Sequence, residues 1–108
     1  MLNSYKYQGK DMKTREEYLK YVKQFKDRFA NKFGILSIGI FGSVARNEHN
    51  SESDLDVFVE LQNPDPYIMF DIRETLEQIC GCKIDLLRLR KNLRSLLIKR
   101  IEQDGIYA

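Results

Sequence analysis

Two segments, Ile40-Phe41-Gly42-Ser43-Val44-Ala45-Arg46 and, after a polar loop, Ser53-Asp54-Leu55-Asp56-Val57-Phe58-Val59-Glu60, are the most informative part of the chain. Ile35 to Phe41 is a short apolar run with little polarity on either face, which predicts a strand buried on both sides and ended by Gly42-Ser43. Asp54 to Leu61 is rich in β-branched and aromatic residues and predicts a second strand, closed by Asn63-Pro64-Asp65-Pro66.

The residues outside these strands supply helices to cover them. Thr14-Arg15-Glu16-Glu17 fits a capping box, and Tyr18, Val22, Phe25, Phe29 and Phe33 recur at spacings of three and four, predicting an amphipathic helix that Gly34 stops. Its phenylalanine stripe reads as core. Asp65 as N-cap with Pro66 in the first helical position starts a second helix, with Ile68, Ile72, Leu76 and Ile79 on its apolar face and Gly81 at its end. Lys83 to Leu87 predicts a third strand, and Leu93, Leu96, Leu97 and Ile101 a last helix ended by Gly105. Residues 1–12 show no period and read as loose. The order helix, strand, strand, helix, strand, helix predicts an α/β (α+β) fold in which helices pack on a small mixed β-sheet.

The 108 residues make a single domain, 1–108. Eighteen Lys and Arg stand against sixteen Asp and Glu, a balance that excludes a polyacidic tail and gives little support to nucleic acid as a direct substrate. The charges are segregated: residues 48–60 hold five carboxylates and no cation, and residues 88–100 hold six cations and no carboxylate. The basic run reads as a solvated helix face. Cys80 and Cys82, separated by one glycine, suit neither a disulfide nor a structural zinc, and read as buried free thiols of a reducing, cytoplasmic compartment. No apolar run approaches the ~18 residues that cross a bilayer, so no membrane partner is expected. His49, in a polar loop without a second ligand, reads as solvated.

Side-chain alternation puts Asp54 and Asp56 on one face of their strand, about 7 Å apart at ~3.4 Å per residue, while Leu55 and Val57 point into a core and fix the register. Asp85 repeats the arrangement on the third strand, between Ile84 and Leu86. If the intervening helix is a right-handed crossover, strands two and three are parallel neighbours and the three carboxylates converge on one patch. Gly42-Ser43 joins that patch only if the first two strands are antiparallel, which the ten-residue link permits. Glycine allows close approach to a phosphate, and Ser43 at the start of a helical turn offers a hydroxyl and backbone N–H groups. Two divalent cations on three carboxylates beside such a cradle would clamp the oxygens of an in-line phosphoryl displacement, and Mg2+ prefers these oxygen ligands.

Gly42-Ser43, ten residues, Asp54-x-Asp56 and a later Asp85, in the contexts FGSVAR, SDLDVFVE, KIDLL and EQDGIYA, resemble the nucleotidyltransferase superfamily of the DNA polymerase β type. The similarity covers roughly residues 20–108 and is closest to the minimal nucleotidyltransferases, antitoxins paired with HEPN-domain ribonucleases. It implies a palm-like fold in which Asp54, Asp56 and Asp85 are catalytic and bind Mg2+, with Asp85 also acting as base. It further implies that Gly42 and Ser43 hold the triphosphate and that Arg46 lies close to them. ATP is the implied donor, and the implied reaction is AMP transfer to a tyrosine hydroxyl of the HEPN toxin. Asn47 departs from the glycine many relatives carry after the arginine, and asparagine tolerates the left-handed conformation better than most residues.

The short chain leaves little room to hold a second substrate, so the acceptor is expected on a partner protein or across a homo- or hetero-oligomer. Two other readings stand beside this one. One is an antitoxin that works by contact without catalysis, with Tyr5, Tyr7 or the final helix as interface. The other is a dimeric nucleotidyltransferase of small molecules such as aminoglycosides.

Overall fold

A computed structural model describes residues 12–108. The segment read as loose, apart from Met12, lies outside the described residues, as do Tyr5 and Tyr7. Eight elements follow in order: α1 (Arg15–Phe33), β1 (Ile35–Phe41), α2 (Gly42–Ala45), β2 (Leu55–Leu61), α3 (Pro66–Cys80), β3 (Ile84–Arg88), α4 (Ser95–Asp104) and β4 (Ile106–Tyr107).

The expected signals set the helix ends. The Thr14 hydroxyl accepts from the Glu17 N–H at 3.1 Å and the Thr14 N–H donates to the Glu17 carboxylate at 2.9 Å, closing the capping box. Asp65 accepts from the Tyr67 N–H at 2.7 Å ahead of Pro66. Gly34 and Gly81 end α1 and α3 in the left-handed conformation.

The four strands lie in the order β3-β2-β1-β4. β1 and β2 are antiparallel, with Ile40 opposite Val57 and Phe41 opposite Asp56. β2 and β3 are parallel, with Asp56 opposite Asp85, so α3 is the crossover that the sequence implied. α1 and α3 cover one face, and between them and the sheet Val22, Phe25, Ile38, Ile40, Leu55, Val57, Val59, Ile72 and Leu76 are fully buried. The opposite face carries a smaller aromatic group in which Phe41 and Tyr107 flank the buried Phe58.

Three points refine the expected fold. β1 is not buried on both sides along its length: Leu36, near its start, is exposed, because the face opposite α1 is open there. The last helix forms and ends at Gly105 as expected, but it starts at Ser95 and does not pack as core. Leu93 is buried ahead of α4, Leu96 is exposed, and α4 buries no residue. The third is an addition: after Gly105 the chain returns to the sheet, pairing Ile106 with Ile40 and Tyr107 with Gly39, where any side chain in place of glycine would collide with Phe58 and the Ile106 carbonyl.

Candidate active site

The end of β1 and the start of β2 meet because the strands are antiparallel, so Gly42, next after Phe41, lies against Asp56. Parallel register then sets Asp85 one strand further out. Leu55 and Val57 are fully buried on the other face, which locks the outward direction of Asp56. Asp54 stands one residue ahead of β2, near enough for its charge to act on Asp56.

Gly42 answers two demands at once. Its φ is +74°, in the left-handed region, and a Cβ there would collide with the Asp56 carboxylate. After it the chain turns into α2, where the Arg46 N–H donates to the Gly42 carbonyl at 3.0 Å and the Glu48 N–H to the Ser43 carbonyl at 2.8 Å. The first N–H groups of that turn lack carbonyls one turn earlier and are available as anion donors. The Arg15 guanidinium holds the other end of α2 by donating to the Ala45 carbonyl at 3.2 Å. Asn47 has φ +61°, the left-handed conformation that asparagine tolerates better than most residues.

Burial, then the charge of Asp85 and a hydrogen bond shared with it, then the charge of Asp54, push the Asp56 carboxyl up to about 6; Arg46 offsets this in part. The negative charge gathered here is therefore compensated only in part. An oxygen-preferring divalent cation fits that donor set. Among the described residues, however, no three His, Cys, Asp or Glu side chains already surround one point. The three carboxylates neighbour one another along a charged rim, with Asp56 between Asp54 and Asp85.

Arg46 is near this rim but engaged elsewhere, in ion pairs with Glu48 at 2.9 Å and Asp104 at 3.1 Å, the second tying α2 to α4. His49 is not a solvated loop residue: it is half-buried against Tyr18 with Nε2 2.7 Å from the Lys13 carbonyl. Cys80 is buried, and burial pushes its thiol up to about 12, which removes it as a nucleophile at neutral pH.

Sequence reasoning missed a second group of residues. A groove of about 640 Å³ lies against Asp54 and Asp85, lined by Pro66, Met69, Phe70 and Arg73 of α3 and by Lys83 and Leu86 beside Asp85. The signal was present: those α3 residues fall at i, i+3, i+4 and i+7, a stripe distinct from the buried one. Glu77 is the buried charged side chain among the described residues, and its carboxylate accepts from the Ile84 N–H at 3.2 Å, anchoring the start of β3.

Residues 23–107 match the family described as "Polymerase beta, Nucleotidyltransferase". Among curated proteins, the chain is 37% identical to "Putative protein adenylyltransferase MJ0128" of Methanocaldococcus jannaschii, over 89% of this chain and 99% of that one. It is 30% identical to protein adenylyltransferase MntA of Thermococcus cleftensis, over 89% and 97%. Among solved structures, one named "putative minimal nucleotidyltransferase" has a TM-score of 0.72 at 23% identity, covering 89% of this chain and 97% of that chain. A tri-AMPylated HEPN toxin of Shewanella oneidensis in complex with MNT antitoxin has a TM-score of 0.52 at 18% identity, covering 78% and 69%. Family match and identity along most of the chain agree, and the chain belongs to the polymerase β-type nucleotidyltransferase family.

Proposed function

We propose that this protein is a Mg2+-dependent adenylyltransferase that moves AMP from ATP to a hydroxyl of a partner protein, and that it acts as an antitoxin by modifying a HEPN ribonuclease. The observation that carries this reading is the packing of Gly42 against Asp56 with Asp85 one strand further out. This packing supports a phosphate cradle at Gly42-Ser43 beside the carboxylates. The names of both curated relatives support protein adenylylation, and the Shewanella complex pairs an AMPylated HEPN toxin with a protein of this fold.

Asp54, Asp56 and Asp85 would hold one or two Mg2+ ions, which supply positive charge to the triphosphate oxygens and to the leaving group. Gly42 and Ser43 orient the β- and γ-phosphates through backbone N–H groups and a hydroxyl. Asp85, on the outer strand, takes the hydroxyl proton of the acceptor as its oxygen bonds to the α-phosphorus. The bond from that phosphorus to the bridging oxygen breaks, and pyrophosphate leaves with the electron pair. Most of the acceleration comes from holding these groups in line.

The test is label transfer from α-32P-ATP with Mg2+ to a co-purified HEPN-domain partner, wild type against Asp54→Ala/Asp56→Ala. A labelled partner with wild type alone, heavier by one AMP for each site modified, is the expected result. Neutralisation of the ribonuclease by the double variant as well as by wild type would instead establish inhibition by contact.

A further inference from the structure

Among the described residues, Glu77 alone is a buried charged side chain. Taking a carboxylate out of water is costly, and where only stability is at stake an apolar side chain of similar size serves as well or better. What Glu77 holds is therefore informative. Its main-chain carbonyl accepts from the Gly81 N–H at 2.9 Å, closing the last turn of α3, and its carboxylate accepts from the Ile84 N–H at 3.2 Å, where β3 begins. One residue thus grips both ends of the link 81–84 that leads from the helix into the strand.

β3 ends the strand order, so among the described residues only β2 pairs with it. The peptide joining Lys83 to Ile84 is nevertheless held from two directions. Its carbonyl accepts from the Leu55 N–H at 3.0 Å, on the β2 side. Its N–H points the opposite way, as it must in a trans peptide, and meets the Glu77 carboxylate instead of remaining an edge donor outside the ladder.

The residues at both ends of this peptide adjoin the carboxylates. Leu55 stands between Asp54 and Asp56, and Ile84 precedes Asp85. Asp56 is opposite Asp85 in register, on strands about 4.8 Å apart. Any shift of the Lys83–Ile84 peptide along or away from β2 carries Asp85 with it and leaves Asp54 and Asp56 behind.

We propose that Glu77 is a positioning residue of this site: by clamping the Lys83–Ile84 peptide from its outer side, it sets the spacing between Asp85 and the Asp54–Asp56 pair. The inference rests on the metal-holding role proposed above for those three carboxylates. Glu77 acts on that role through the peptide, as groups bonded behind metal ligands do when they alter metal affinity by about 10–100-fold.

The experiment compares Glu77→Met, which keeps the length and loses the acceptor, with Glu77→Gln, which keeps one acceptor oxygen, and with Val22→Ala, a truncation in the α1 core. Mn2+ is titrated into each full-length chain without nucleotide and read by water-proton relaxation, and amide exchange is followed at Leu55 and Ile84. Glu77→Met is expected to bind Mn2+ at least about tenfold more weakly and to exchange both amides faster, with Glu77→Gln within about threefold of wild type. Val22→Ala should lose stability with Mn2+ affinity unchanged, which separates placement from stability. In label transfer, Glu77→Met should lower kcat and leave the KM for ATP within about twofold.

Wild-type Mn2+ affinity in Glu77→Met overturns the inference, as does an equal loss in Val22→Ala. A loss in Glu77→Gln as large as in Glu77→Met assigns the effect to charge rather than to the bond, and also overturns it. So does an Ile84 amide that exchanges in wild type as fast as an unstructured peptide, whatever the variants do. Wild type that binds no Mn2+ overturns the metal assignment together with the inference. Absence of label on the HEPN partner, with the Mn2+ results as expected, overturns the proposed function alone.

Discussion

At the end of the sheet that carries Gly42, Asp56 and Asp85, the supporting positions Leu55, Val57 and Val59 are fully buried, and the one glycine in contact with the carboxylates admits no side chain. At the C-terminal flank, α4 buries none of its ten residues and has no side-chain cap at its start. That flank is held by the Arg46–Asp104 ion pair, by Leu93 packed ahead of the helix, and by the return of β4 to β1, where the Ala108 N–H donates to the Ile38 carbonyl at 2.9 Å. Geometry at the first region is fixed by packing that cannot relax, and at the second by a few polar contacts that can. The chemistry is placed where positions are over-determined, and substitutions should show the difference as a gradient of effects.

The largest effect is expected from Gly42→Ala. The new Cβ must adopt the left-handed conformation, at about 1–2 kcal/mol, and must also displace Asp56. Displacements of about 1 Å in a catalytic group lower rates by ~10²-fold, and label transfer should fall at least that far. Near-normal transfer by this variant would show that Asp56 can relax, and the contrast between the two regions would fail.

Asp56→Asn separates the electrostatic cost of the site from its packing. In the folded protein the Asp56 carboxyl is held up to about 6 from its ordinary 3.8, by burial first and by Asp85 next. The folded state therefore holds this proton more tightly than the unfolded chain. Stability is highest below about pH 4, falls as pH rises toward 6, and the full penalty is present at pH 7. The whole shift corresponds to about 3 kcal/mol; for a half-exposed carboxylate screened by solvent, about 1–2 kcal/mol is expected. In chelator, denaturant unfolding of Asp56→Asn should exceed wild type by that amount at pH 7.5 and match it at pH 4. Added Mg2+ should stabilise wild type alone. An unchanged difference across that pH range would remove charge repulsion as the cause.

Much of this was legible beforehand, because the signals were local. Caps and glycines gave both ends of α1 and the start and end of α3, and alternation in Asp54-Leu55-Asp56-Val57 gave the direction of the carboxylates. The contact of Gly42 with Asp56 was not legible in detail, since it depends on an antiparallel register that a ten-residue loop allows but does not impose. β4 was missed because two residues carry no period. α4 was found by the helical spacing of Leu96, Leu97 and Ile101, a signal that says nothing of what covers them, and Leu93 lies ahead of its start. The cations at Arg73 and Lys83 come together only after α3 has crossed over β2 and β3.

Asn47 lies between the two regions in expected effect. With φ +61°, replacement by alanine should cost about 1 kcal/mol, and replacement by glycine should be neutral or slightly stabilising. Chemical denaturation of the pair measures this directly. Equal stabilities for the two variants would mean that the turn after Arg46 relaxes freely and belongs with the adaptable flank.

The smallest effect belongs to Leu96, on the exposed face of α4. Its exposure is 61%, so Leu96→Ser removes little buried surface, and the denaturation midpoint should correspond to a change within about 0.5 kcal/mol, against the 2–5 kcal/mol typical of truncating a buried aliphatic side chain such as Leu76. A loss of core size at Leu96 would mean that α4 packs against the sheet more closely than its exposure indicates. With the expected near-zero effect, the leucine there adds little to the stability of the isolated chain, and the fixed site and the loosely held helix are two separable parts of one small fold.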